Sequence, residues 1–131
     1  MRAVDTNVLV RAFVRDDPAQ AARAQALLRA QQVFVPVTVV LELEWVLRSR
    51  YGFARDVIAA ALTMIASLEN AVIGERDAVL AATAHLAQGW DFADALHHAL
   101  SAGCDGFATF DNALVKRAGR LPDASPAVVP V

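Results

Sequence analysis

Met1-Arg2-Ala3-Val4-Asp5-Thr6-Asn7-Val8-Leu9-Val10, residues 1–10, holds one abrupt change of pattern. A short apolar run reaches Asp5, polar Thr6 and Asn7 interrupt it, and apolar residues return at Val8, Leu9 and Val10. The run before the break predicts a buried strand over 2–5, and the spacing after it predicts a helix as far as Val14. A strand followed at once by a helix opens an α/β fold. It also sets Asp5 at the carboxyl end of a strand, where open α/β sheets bind their ligands.

The same alternation continues along the chain. Asp17 before Pro18 is a natural N-cap for an alanine-rich helix that runs to Gln32. Val33-Phe34-Val35-Pro36-Val37 is a β-branched and aromatic run, hence a second strand ended near Pro36. Thr38 is the expected N-cap of a third helix reaching about Tyr51, with Gly52 as its stop. Its core stripe is Val39, Val40, Leu43, Val46 and Leu47, with Glu42 on the flank and Leu41 and Trp45 forming a second apolar patch. A fourth helix over 54–68 follows, then Ala71-Val72-Ile73 as a brief strand or a connection, then a fifth helix over 76–88. Asp91 reads as the N-cap of a helix over 92–102, and the segment 106–111 as the next strand, leading into a short helix over 112–118. The tail around Ala127-Val128-Val129, flanked by prolines, suits an edge strand at best. Strands alternating with helices predict an α/β class, a central mostly parallel β-sheet flanked by helices.

The 131 residues fit a single domain over 1–131. A hydrophobic content of 56% against 20% charged implies either a large core or an oligomer interface. No segment approaches the roughly 18 consecutive apolar residues of a membrane span, and the N-terminus lacks the features of a signal peptide. The lone Cys104 excludes an internal disulfide and a cysteine-rich zinc site. A cytoplasmic protein is the expectation. The net charge of −2 does not advertise a nucleic-acid partner. Yet Lys116 is the only lysine, so the positive charge is nearly all arginine, the residue suited to bidentate phosphate contacts.

Four carboxylates occupy equivalent places in this pattern. Asp5 and Asp111 each end a predicted strand just before a helix, and Asp94 and Glu42 lie in the first turns of theirs. In a parallel sheet such ends gather on one edge. Positive helix ends keep carboxylates ionised, and like charges in one crevice call for a hard divalent cation. Oxygen-only ligands favour Mg²⁺ or Mn²⁺ over zinc. Thr109, two residues before Asp111, is expected to point the same way and hold a metal-bound water. Asn7 is placed to orient Asp5 by a hydrogen bond. Each acid also has a plain structural reading: Asp5 and Asp111 as helix caps, Asp91 and Asp94 as a capping pair, Glu42 as a solvated helix residue. His97 and His98 share a helix face with Asp94 and read as packing or supporting residues, and Glu44 as solvated or at an interface.

The stretches VDTNVLVR, VPVTVVLELEWVLRSRYG, DFADALHHA and FATFDNALVKR, in this order over nearly the whole chain, resemble the PIN domain, most closely the VapC-type toxins of bacterial toxin–antitoxin pairs. That resemblance implies a Mg²⁺- or Mn²⁺-dependent ribonuclease with Asp5, Glu42, Asp94 and Asp111 as the catalytic, metal-holding acids and Asn7 and Thr109 in support. It also implies a cognate VapB-type antitoxin as partner and a homodimer. Arg11, Arg15, Lys116, Arg117 and Arg120 flank the acids in sequence and are the candidates for RNA contact. Two rival readings differ in kind. A haloacid-dehalogenase-type phosphatase needs a second Asp two residues after the first, and Asn7 stands there instead. A catalytically silent metal-binding module for protein or RNA interaction would keep the same four acids without turnover.

Overall fold

The computed structural model describes residues 1–121 and 123–131. Among them the chain order is β1 (Arg2–Ala3), α1 (Thr6–Val14), α2 (Pro18–Ala30), β2 (Val33–Val35), α3 (Val37–Ser49), α4 (Arg55–Ala66), β3 (Ala71–Ile73), α5 (Arg76–Ala87), α6 (Phe92–Ala99), β4 (Phe107–Thr109), α7 (Asn112–Gly119) and β5 (Val128–Pro130). Every strand pair is parallel, and parallel neighbours must be joined by a crossover rather than a hairpin. Helices supply each crossover, so the chain is an α/β protein as its alternating pattern predicts.

The sheet is in two pieces. β2 lies between β1 and β3, with Arg2 opposite Val33 and Ala3 opposite Phe34 on one side and Val35 opposite Ile73 on the other. β4 and β5 form a separate ladder, Phe107 opposite Val128 and Thr109 opposite Pro130. The tail is thus a paired strand, and Ala71-Val72-Ile73 is a strand rather than a connection.

Element ends differ from expectation for local reasons. β1 stops at Ala3 rather than Asp5 because the Asp5 carboxylate already turns the chain into α1, accepting from the Val8 amide at 3.2 Å. Thr38 does not cap α3. Pro36 holds that position without a side-chain bond, and its carbonyl accepts from the Val39 and Val40 amides at 3.0 and 3.2 Å. α6 ends at Ala99, short of 102, where the Ser101 hydroxyl donates to the His97 carbonyl at 2.7 Å. Asp17 caps α2 as its sequence predicts, accepting from the Gln20 amide.

The core collects on β2, whose Val33 and Val35 are buried. Leu9 and Val10 of α1, Val40, Leu43 and Leu47 of α3, Ile58, Leu62 and Ile65 of α4, and Val79 and Leu86 of α5 pack into the same cluster. Their i, i+3, i+4 spacing is what a helix lying on a core requires. α5 and α6 meet over Trp90 and Phe92, which positions the helix that carries Asp94. No described helix is long and apolar enough to cross a membrane.

Candidate active site

Three helix starts each present an acid. Asp5 is the N-cap of α1 in extended geometry, and its Oδ1 accepts from the Val8 amide. Asp111 caps α7, its Oδ1 accepting from the Ala113 and Leu114 amides at 2.9 and 3.1 Å. Asp91 caps α6, its Oδ2 accepting from the Asp94 amide at 3.0 Å. Unpaired amides at a helix N-terminus and the positive end of the helix dipole both favour an anion there. In Asp5 and Asp111 a single carboxylate oxygen does the capping, and the other has no hydrogen-bond partner among the described residues. A capped carboxylate is held in one orientation with one oxygen left to bind something else.

Asp94 sits half-buried in the first turn of α6. Burial pushes its pKa above the ordinary aspartate value, and the nearby charges of Asp91 and Asp111 push it further, while His97 and Arg117 partly offset them. Asp94 therefore lies within the field of Asp111. Asp5 lines a different cleft of about 520 Å³ between α1 and α2, with Asn7, Arg11, Gln20 and Arg23. Glu42 is exposed on α3, beside a hollow of about 330 Å³ shared with Leu41, Trp45, Arg48 and Ala93, the last adjoining Asp94. Among the described residues, no three His, Cys, Asp or Glu side chains converge closely enough to hold a metal ion.

The supporting residues take different roles from those expected. The Asp111 amide donates to the Thr109 hydroxyl oxygen at 3.0 Å. β4 ends at Thr109, so strand alternation does not extend to Asp111; Thr109 instead shapes the turn that presents it. Asn7 is exposed and makes no hydrogen bond to Asp5 among the described residues; the Val8 amide orients that carboxylate. Arg11 is engaged with Asp16 at 2.7 Å, which raises its pKa and lowers that of Asp16. Arg15, Lys116 and Arg120 are exposed, and Arg117 reaches the field of Asp94.

His98 is buried, and its Nε2–H donates to the Pro126 carbonyl at 2.7 Å, so it packs and ties down the tail. His97 is exposed. Glu44 corrects the sequence reading. It is buried rather than solvated, and its carboxylate accepts from Arg48 Nε at 2.9 Å. Two signals for this stood in the sequence: Glu44 follows Val40 by four residues on the core stripe, and Arg48 follows Glu44 by four.

The donor set suits a hard divalent cation in its chemistry. The acids offer oxygen, Asp5 and Asp111 each keep one oxygen outside their capping bonds, and Asp94 carries a repulsion that a cation would relieve. Capping and metal-holding can be separated at Asp111. Asn retains a capping oxygen, so Asp111→Asn should leave thermal stability nearly unchanged, whereas Asp111→Ala should cost about 1 kcal/mol. A change in metal binding shared by both variants would then report on the carboxylate's charge; urea melts beside a metal titration check this, and equal destabilisation by Asn and Ala would remove the capping role.

A sequence model of the PIN domain family, described as "PIN domain", matches residues 2–120. Comparison with curated proteins and with solved structures gives no match.

Proposed function

The chain belongs to the PIN domain family, whose members are commonly nucleases and usually bind divalent metals, and on that premise we propose that it is a Mg²⁺- or Mn²⁺-dependent endoribonuclease, the VapC-type toxin of a type II toxin–antitoxin pair. The observation that carries this reading is Asp94 in the field of Asp111, two carboxylates at two helix starts, with one Asp111 oxygen outside its capping bonds. Asp5, Glu42, Asp94 and Asp111 would hold the cation, which when bound supplies charge neutralisation at the scissile phosphate and an acidified water. Arg117, whose charge reaches Asp94, would receive the phosphate. Hydrolysis by this route leaves a 5′-phosphate and a 3′-hydroxyl.

The partners in this reading are RNA, a VapB-type antitoxin and a second copy of the chain. Two exposed apolar surfaces support such associations. One is Trp45 with Leu41 on α3. The other is Met64 and Leu68 of the α4 region, bordering a groove of about 850 Å³ that Phe13 and Leu28 also line.

Incubation of the purified chain with total RNA in Mg²⁺, in Mn²⁺ and in chelator tests the proposal. Cleavage with either metal that chelator abolishes is the expected result. A second reading is the catalytically silent metal-binding module, which keeps Asp5, Glu42, Asp94 and Asp111 without turnover. Measurable metal binding without cleavage selects it.

A further inference from the structure

A cleft of about 420 Å³ runs beside the start of α6, lined by Arg48, Arg55 and Arg117 together with Glu44, Asp91 and Phe53. Three arginines against two acids give it a positive balance in a chain whose net charge is −2. Arg117 joins it to the acidic region, because the same side chain lies in the field of Asp94.

Each cation is fixed differently. Arg55 donates through Nη1 to the Leu86 and Trp90 carbonyls, which anchors it at the wall. Arg48 is mounted on Glu44. The Glu44 side chain is 3% exposed and its two oxygens accept from Arg48 Nε at 2.9 Å and Nη2 at 3.4 Å, while the Arg48 side chain is 51% exposed. A buried carboxylate whose only described partner is a half-exposed guanidinium acts as a socket: it spends one edge of the fork and leaves Nη1 and the rest of Nη2 toward solvent. At the rim, Phe53 is exposed and stacked on Tyr51 at 6.2 Å, and its amide donates to the Leu47 carbonyl at 3.1 Å. A ring held in place beside arginines is the combination that binds single-stranded RNA, the ring stacking a base and the guanidinium groups taking the backbone.

We propose that this cleft holds the RNA strand next to the scissile bond, with Arg48 and Arg117 on the phosphodiester backbone, Phe53 under a base, and buried Glu44 as the positioning residue for Arg48. The proposal rests on the ribonuclease reading and names a substrate-binding track for it. Glu44 makes the proposal sharp, because two mechanisms predict opposite signs. If Glu44 only cancels charge, Glu44→Gln makes the cleft more positive and tightens RNA binding. If it mounts Arg48, the same change weakens binding.

The experiment measures binding of a fluorescent single-stranded RNA to the full chain in chelator across a salt series, by anisotropy. Arg48→Gln should weaken binding about tenfold and reduce the salt slope by roughly 0.7, the value for one lost phosphate contact on a single strand. Phe53→Ala should weaken it about fivefold or more with the slope unchanged. Glu44→Gln should weaken it and flatten the slope, while Arg29→Gln, outside the cleft, should do neither. Phe53→Ala leaves the Arg48–Glu44 pair intact, so it reports on the cleft even if removing either partner of that half-buried pair costs stability. Wild-type affinity in both Arg48→Gln and Phe53→Ala, tighter binding by Glu44→Gln, or no RNA binding by the wild type overturns the proposal. Cleavage of the same RNA in Mg²⁺ is scored separately: binding that depends on Arg48 without any cleavage would sink the nuclease reading and leave the cleft standing.

Discussion

Asp94→Asn is expected to lower metal-dependent RNA cleavage by roughly 10²-fold or more while raising the melting temperature of the metal-free chain at neutral pH. The two effects share one cause. Asp94 is partly desolvated and faces Asp91 and Asp111, so its folded-state pKa stands above its unfolded value. Between those two values the folded chain binds more protons than the unfolded chain, and stability falls as pH rises through the window. At neutral pH the ionised Asp94 is therefore a net cost that the isosteric amide does not carry. Below the ordinary aspartate range both states are protonated and the advantage of Asn disappears. Thermal melts in chelator at neutral pH and at about pH 3, beside a cleavage assay, measure both effects. Lower stability of Asp94→Asn at neutral pH would show that the carboxylate is a structural bond and not a strained functional group.

Trp90→Ala should be the most damaging single change to the fold, costing about 3–5 kcal/mol out of the roughly 5–15 kcal/mol that holds a domain of this size together. Its ring is 1% exposed where α5 hands over to α6, stacked on His85 at 4.6 Å and 17° and tilted against His98 at 5.8 Å. The backbone bonds of residue 90 survive the substitution: its amide donates to the His85 carbonyl, and its own carbonyl accepts from Arg55. The loss is therefore the ring and the void it leaves. His85 adds a pH dependence. Burial lowers its pKa, helped by the charge of His98, so acid must protonate a ring that the fold prefers neutral. The unfolded chain binds the extra proton more readily, and stability falls as pH drops through the ordinary histidine range. Urea melts read the Trp90 effect as a shifted midpoint at constant slope. A loss under about 1 kcal/mol would mean that the site collapses around the void.

Much of the architecture was legible because its signals are local. The β-branched run at Val33 to Val35 and the helical spacing of Val40, Leu43 and Leu47 report burial directly. Asp17 before Pro18 reports a helix start. The third helix start misleads because the Pro36 carbonyl does the work expected of the Thr38 hydroxyl, and a backbone carbonyl leaves no mark on residue type. Glu44 misleads because a glutamate is read as solvated unless its partner is counted with it. Of the acidic site, the cap positions of Asp5, Asp91 and Asp111 follow from sequence. The distances between acids do not, since they depend on how two sheets lie across a seam.

That seam has a kinetic consequence. β1 and β4 are not hydrogen-bonded to each other, so Asp5 belongs to the ladder built on β2 and Asp111 to the ladder of β4 and β5. The second ladder is three residues deep, with largely accessible strands. A short, accessible two-stranded ladder opens more readily than a buried central strand. Amide exchange in β4 and β5 should consequently outpace that in β2. Each opening event takes one acid of the site away from the others without unfolding the rest, so the acidic site has a lifetime of its own, shorter than that of the fold that carries it.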